Sequence, residues 1–212
     1  MLNAKVEDEQ GRIAALHRYN VLDTAREQRF DKITALVQNV LSVPIAAVSL
    51  VDRDRQWFKS IQGLDVRETP RSVSFCSHTI QRDAPFIVPD ALNDARFNEN
   101  PLVLEAPHIR SYAGVPLRTS DGYNVGSLCA IDTAPREFNE AQIGLLTSFA
   151  SLVVDELELR LIAQRDYLTG ALTRRGFVEQ AKKEMARFGR HGHGSVLLLL
   201  DVDHFKSVND RF

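Results

Sequence analysis

Val196 to Leu200 is a short, unbroken apolar run that ends at two carboxylates, Asp201 and Asp203. A run this short cannot span a membrane, and it shows no alternation of polar and apolar residues. It therefore predicts a strand covered on both faces, which demands neighbouring strands and packed layers above and below it. Residues two apart in an extended chain share a face, so Asp201 and Asp203 would project together from the strand end as hard oxygen donors for a divalent cation. The same Asp-x-Asp also reads as a solvated turn after a core strand, and these residues alone leave both readings open.

A longer pattern surrounds that strand end. Asp166-Tyr167-Leu168-Thr169-Gly170 is followed by Arg174-Arg175-Gly176-Phe177, a helical stretch, and then Leu200-Asp201-Val202-Asp203-His204-Phe205-Lys206-Ser207-Val208-Asn209-Asp210. Over residues 166–212 this resembles the start of the GGDEF domain of bacterial diguanylate cyclases, with Ala171 and Thr173 departing mildly from the Leu and Asn usual in that family. The resemblance implies Mg2+ held by Asp201 and the Val202 carbonyl, His204, Phe205 and Lys206 around the triphosphate of GTP, and Asn209 reading guanine. The residue chemistry agrees: a carboxylate suits magnesium, lysine is a point charge for phosphate, and asparagine pairs a donor with an acceptor. The Gly-Gly-Asp/Glu-Glu-Phe hairpin, which in that family carries another metal ligand, has no equivalent upstream and would lie beyond Phe212. Joining two GTP molecules requires attack of a ribose hydroxyl on an α-phosphorus between metal ions. Residues 1–212 are thus expected to be the sensory and linker portion of a diguanylate cyclase, with no catalytic residue and no turnover of their own.

At 212 residues the chain has room for one or two domains. An apolar fraction of 44% and a charged fraction of 25% are ordinary for a globular protein. A net charge of -2 gives no electrostatic footprint for nucleic acid or an anionic membrane. No apolar run approaches the roughly 18 residues of a membrane span, and Met1 to Glu9 is polar and acidic rather than signal-like, so a cytoplasmic protein is expected. Cys76 and Cys129 lack metal-ligand spacing and suggest neither a disulfide framework nor a zinc module.

Ile13, Leu16 and Tyr19, then Phe30, Ile33, Leu36, Val37, Val40 and Leu41, recur at helical spacing and predict two amphipathic helices, the second ended by Pro44. Ile45–Val51 and Gln56–Ile61 read as a hairpin across Asp52-Arg53-Asp54, with an irregular stretch from Gly63 to Ser74. A short helix over Phe75–Arg82 and a short strand over Phe86–Val88 follow. Ser111–Arg118 and Asn124–Ile131 flank Ser120-Asp121-Gly122, a hairpin signal. The order predicts an α+β fold, an antiparallel sheet with helices on one side and a ligand-sized crevice on the other.

Residues 10–160 resemble a GAF domain, after a tail of residues 1–9. The likeness is carried by Tyr19-Asn20-Val21-Leu22-Asp23-Thr24, Val48-Ser49-Leu50-Val51-Asp52, Gln56-Trp57-Phe58, Ser74-Phe75-Cys76-Ser77-His78-Thr79-Ile80, Val88-Pro89-Asp90-Ala91, Asp94-x-Arg96-Phe97, Asn100-Pro101-Leu102-Val103, Arg110 to Leu117 and Gly126 to Asp132. It implies the fold but not the ligand, since GAF pockets hold cyclic nucleotides, tetrapyrroles, haem, small metabolites or nothing. An unknown small molecule near Cys76, His78, Arg110 and Tyr112 is expected. Arg110 and Tyr112 offer a cation and a hydroxyl to an anion, unless Arg110 pairs with Asp90 or Asp94. Ser77 separates Cys76 from His78, whereas phytochrome-like GAF domains place Cys and His side by side, which argues against a bilin. His78 and His108 read as bonded or exposed histidines before haem ligands. Some GAF proteins reduce methionine sulfoxide with thiols, a remote alternative because Cys129 lies in an apolar strand. A further alternative is a ligand-binding or dimerisation module without catalytic output.

A long helix is expected from about residue 139 to 165, capped by Asn139. Ile143, Leu146, Ala150, Val153, Leu157 and Leu161 fall near a heptad stripe, so Leu146, Val153, Leu157 and Leu161 are expected to pair with a second copy in a homodimer. Packing on the chain's own sheet is the competing reading. A signal in the pocket would then shift the paired helices through Asp155–Gln164 and change how two GGDEF domains, each holding one GTP, face each other. Residues 166–212 are too few to bury a core by themselves, so the Val196–Leu200 strand is expected to lack cover.

Overall fold

In a computed structural model the described residues are 4–164, 166, 168–192, 194, 196–201 and 203–204. They form two compact units, residues 1–163 and 164–212.

The first unit opens with α1 (Ala4–Glu7), α2 (Glu9–Arg18) and α3 (Gln28–Leu41). Asp8 starts α2, its carboxylate accepting from the Gly11 N–H at 2.8 Å. In α3 the buried residues Phe30, Thr34, Val37 and Leu41 follow one face at four- and three-residue steps. The helix stops at Ser42, left-handed at φ 50°, two residues before the Pro44 expected to end it. Next come β1 (Ile45–Val51), β2 (Arg55–Gln62), β3 (Glu68–Pro70), a 3-10 turn (Arg71–Val73), α4 (Cys76–Thr79) and β4 (Phe86–Val88). The unit continues with α5 (Pro101–Leu104), β5 (Ser111–Arg118), β6 (Asn124–Asp132) and α6 (Glu140–Gln164). Asn139 caps α6 as expected, accepting from the Gln142 N–H at 2.9 Å while the Gln142 side chain accepts from its own N–H.

The six strands form one antiparallel sheet in the order β3-β2-β1-β6-β5-β4. β1 is buried along its whole length because layers cover both faces. On one face α2, α3 and α6 bring Leu16, Phe30, Val37, Leu146 and Val153 against Val48, Leu50 and Leu128. On the other, Phe75, Phe86 and Phe97 gather with Tyr112, Cys129 and Ile131 under α4, α5 and their loops.

α6 corrects the expected dimer stripe. Leu146 and Val153 are wholly buried and Leu157 is 1% exposed in the core of their own unit, and Leu161 packs partly on the same core. A core-facing stripe of period 3.6 and a pairing stripe of period 3.5 are hard to tell apart over a few turns, and here the sheet takes it. The outward face instead carries Leu145, Leu152 and Leu159, 44%, 52% and 56% exposed and spaced by heptads.

In the second unit the Asp166 carboxylate accepts from the Thr169 backbone N–H at 3.0 Å and hydroxyl at 2.7 Å. These bonds close a tight turn and hold the Asp166 carboxyl below its ordinary range. Gly170 stands in that turn at φ 69°, where a Cβ would be strained. Thr173 then caps α7 (Arg174–His191), accepting from the Gly176 N–H at 3.2 Å. Val196–Leu200 does not form the expected strand: the segment is without regular structure and its side chains are exposed. A strand covered on both faces requires neighbours to hydrogen-bond it, and none is found among the described residues.

Candidate functional site

Between the α4–α5 layer and the β2–β3 edge of the sheet lies a cavity of about 260 Å³. Phe58, Ile61, Leu64, Phe75, Ile109 and Ile131 form most of its wall. Polar groups enter from Gln56, Thr69, Ser74, Cys76 and Tyr112, and among the described residues lining it none carries a charge.

Tyr112 is fixed over the sheet by its partners. Its hydroxyl bonds Thr79 Oγ1 at 2.7 Å and lies 3.4 Å from both Ser127 Oγ and Cys76 Sγ. The phenol reaches them by lying across Gly114, where an added Cβ would meet the ring oxygen at 2.1 Å. Burial and the two nearby thiols push its ionisation far up, so it stays a neutral hydrogen-bonding group. Cys76 and Cys129 share this buried cluster as free thiols. Burial opposes the Cys76 thiolate, but donors from Cys129, Ser127, Ser49 and Tyr112 outweigh it and bring Cys76 down to about 6. The same pairing, with burial, pushes Cys129 up.

Two of the four expected pocket residues, Cys76 and Tyr112, line the cavity, and the other two do not. Arg110 is held by Asp90 through two 2.9 Å bonds, which raises the guanidinium pKa and lowers the carboxylate's. The competing reading of Arg110 is therefore the observed one, although Asp94 pairs with Arg96 instead. His78 lies edge-on to Phe97 and over Phe86, and burial followed by Arg96 and Arg82 keeps its pKa below the ordinary value. With Arg110 engaged and the Tyr112 hydroxyl shared among three partners, the cavity is not the anion site expected from those two residues.

Gln56 and Thr69 were not among the expected site residues. They are direct register partners across the β2–β3 pair. Ser74 Oγ donates to Gln56 Oε1, and Gln56 is 6% exposed. Thr69 Oγ1 is buried and has no partner among the described residues.

In the second unit, Asp201, Asp203 and His204 are exposed. Val202, Phe205, Lys206 and Asn209, to which metal and GTP roles were assigned, lie outside the described residues. Among the described residues no group of three or more His, Cys, Asp or Glu side chains is placed to hold a metal ion. No helix among them is long and apolar enough to cross a membrane.

Comparison with known proteins places this geometry. A cyclic di-GMP phosphodiesterase of Pseudomonas aeruginosa is 40% identical over 86% of this chain, and a diguanylate cyclase of Escherichia coli 28% identical over 66%. The chain spans 32% and 44% of the lengths of these two relatives. Among solved structures, the GAF domain of an Acinetobacter phosphoenolpyruvate-protein phosphotransferase matches 75% of this chain and 95% of its own at 18% identity, TM-score 0.54. A free methionine-R-sulfoxide reductase of Neisseria meningitidis matches 76% of this chain and 94% of its own at 18% identity, TM-score 0.52, a likeness of fold alone. The GAF domain family model matches residues 25–157 and that of the diguanylate cyclase GGDEF domain matches residues 163–212. This chain belongs to the GAF domain family, and its GAF domain is followed by the first part of a GGDEF domain.

Proposed function

We propose that the chain is the regulatory portion of an enzyme of cyclic di-GMP turnover, with the GAF cavity as the site of a small-molecule signal and α6 as the element that carries the response. One observation above others supports this reading. α6 is a single 25-residue helix whose Leu146, Ala150, Val153 and Leu157 are built into the GAF core, and it runs to within two residues of the Asp166 turn that opens the GGDEF segment. A change in the packing of the sheet is thus delivered to the start of the output segment by a rigid element.

The GGDEF segment favours synthesis from GTP with Mg2+ as the output of the whole protein. Asp201 and the Val202 carbonyl would hold the metal, and His204, Phe205, Lys206 and Asn209 the nucleotide. Residues 1–212 supply no GGDEF hairpin, so these residues by themselves bind and transmit rather than catalyse. The outward leucines of α6 offer a second copy a heptad face, the arrangement in which two GTP-loaded domains are brought together.

The test is to assay the complete protein that contains this chain with GTP and Mg2+ for cyclic di-GMP formation, and with cyclic di-GMP for its breakdown. Formation supports the proposal in full. Breakdown alone keeps the regulatory reading and reverses the output, and neither reaction under any condition overturns it.

A further inference from the structure

We propose that the GAF cavity selects a compact, uncharged, largely apolar molecule with one neutral oxygen acceptor, received by the Gln56 amide and the Thr69 hydroxyl. The inference rests on reading this cavity as the regulatory site and adds the chemical class of what enters it.

Size sets the first limit. An apolar cavity of about 150 Å³ takes benzene, so by the same ratio 260 Å³ has room for roughly ten non-hydrogen atoms. A nucleotide or a linear tetrapyrrole is far larger. Charge sets the second limit. Moving an ion into an apolar enclosure without a counter-ion is prohibitive, and the described lining contains none. Arg110, which follows Ile109 of this wall, is committed to Asp90.

Hydrogen bonding sets the third. Tyr112, Ser74 and Cys76 are engaged with protein partners. Thr69 Oγ1 has no partner among the described residues, and cross-strand register sets it beside Gln56, whose carboxamide oxygen is taken by Ser74, on one small area of an otherwise apolar wall. Two donors converging on one point suit a ketone, lactone or phenol oxygen. A buried hydroxyl left unpaired, as Thr69 Oγ1 is, carries a standing cost that such an oxygen would remove.

The test titrates the 212-residue chain with 1-indanone, indane and indane-1-carboxylate, reading affinity by calorimetry and melting temperature. The ketone should bind about three- to tenfold more tightly than the hydrocarbon, the difference one hydrogen-bonding centre makes. The carboxylate should bind more weakly than either. Thr69→Val and Gln56→Met should each bring 1-indanone down to the level of indane while leaving indane unchanged, and Thr69→Ser should restore it. Tightest binding by the carboxylate, no binding by any of the three, or unchanged ketone affinity in both variants would overturn the assignment. Control of the complete enzyme by a charged nucleotide in this cavity would overturn the ligand class and leave the regulatory reading standing. Ketone binding with the expected variant pattern, but no effect on cyclic di-GMP turnover, would do the reverse.

Discussion

Lys59 and Glu27 form an ion pair, Nζ to Oε1 2.5 Å, in which the lysine side chain is wholly buried on β2. The same Glu27 oxygen accepts from Arg160 of α6, and Lys59 also donates to Thr24 Oγ1 and Ala25 O at 2.8 Å each. One carboxylate therefore ties the strand that carries Gln56 and Phe58 to the helix that leads out of the domain. Glu27→Gln should destabilise the chain by about 3 kcal/mol, because it removes the carboxylate that two buried cations share. Combining it with Lys59→Met should recover part of that loss. Urea unfolding of the single and double variants measures both, and additive losses would contradict the link.

Acid should weaken the first unit in a defined direction. Arg12, and then Arg71, hold the Glu9 carboxyl at about 2 in the folded chain against an ordinary value of 4.5. Glu27 is also lowered, since Lys59 and Arg160 outweigh its burial. A carboxyl depressed on folding contributes stability that is complete above its unfolded value and is lost as pH falls through the folded one. Unfolding midpoints should thus fall steadily below pH 4.5 and continue falling towards about 2. Glu9→Gln should flatten that slope, and an unchanged slope would remove Glu9 from the account.

Gly114 leaves room for the Tyr112 ring, and filling that room should be costly. Gly114→Ala should lose about 2–3 kcal/mol through overpacking. The loss should shrink in a Tyr112→Ala background, where the ring is gone. Equal losses in both backgrounds would show that the two residues do not meet.

The two thiols should differ in reactivity. Both thiols are buried, but Cys76 lines the cavity and is drawn down to about 6, whereas Cys129 is not in the lining and is pushed up. Iodoacetamide should label Cys76 first, and 1-indanone should slow that labelling by occupying the cavity. Labelling of Cys129 first, read by mass spectrometry, would contradict the arrangement.

Self-association should depend on the outward leucines and not on the inward ones. Leu152→Glu and Leu159→Glu should shift the chain to monomer in sedimentation with little loss of stability, since both are about half exposed. Leu157→Glu should unfold it, because a carboxylate replaces a side chain 1% exposed in the core. Dimers that survive both outward substitutions would exclude this face.

The strands β1, β4 and β5 were legible to the residue, because each is a β-rich run bounded by turn or proline signals. β3 was not. Glu68-Thr69-Pro70 reads as loop, and it becomes a strand only because the edge of β2 is there to pair with it. The candidate site suffered most from this, since Gln56 meets Thr69 through cross-strand register rather than any local pattern. Asp90 as the partner of Arg110 was foreseen as one of two choices, and only the turn at the end of β4 decides between them. The Val196–Leu200 run is apolar enough for a strand, but apolar sequence does not supply the neighbours a strand requires.

The central claim is that the GAF cavity controls the output of the protein. It is tested most directly by measuring cyclic di-GMP turnover by the complete protein with and without Leu102→Trp, which fills the cavity from its α5 side. The account predicts a change in rate of about fivefold or more, the usual scale of coupling between two sites, with the melting temperature close to wild type. Turnover unaffected by a filled cavity in a folded protein would contradict it.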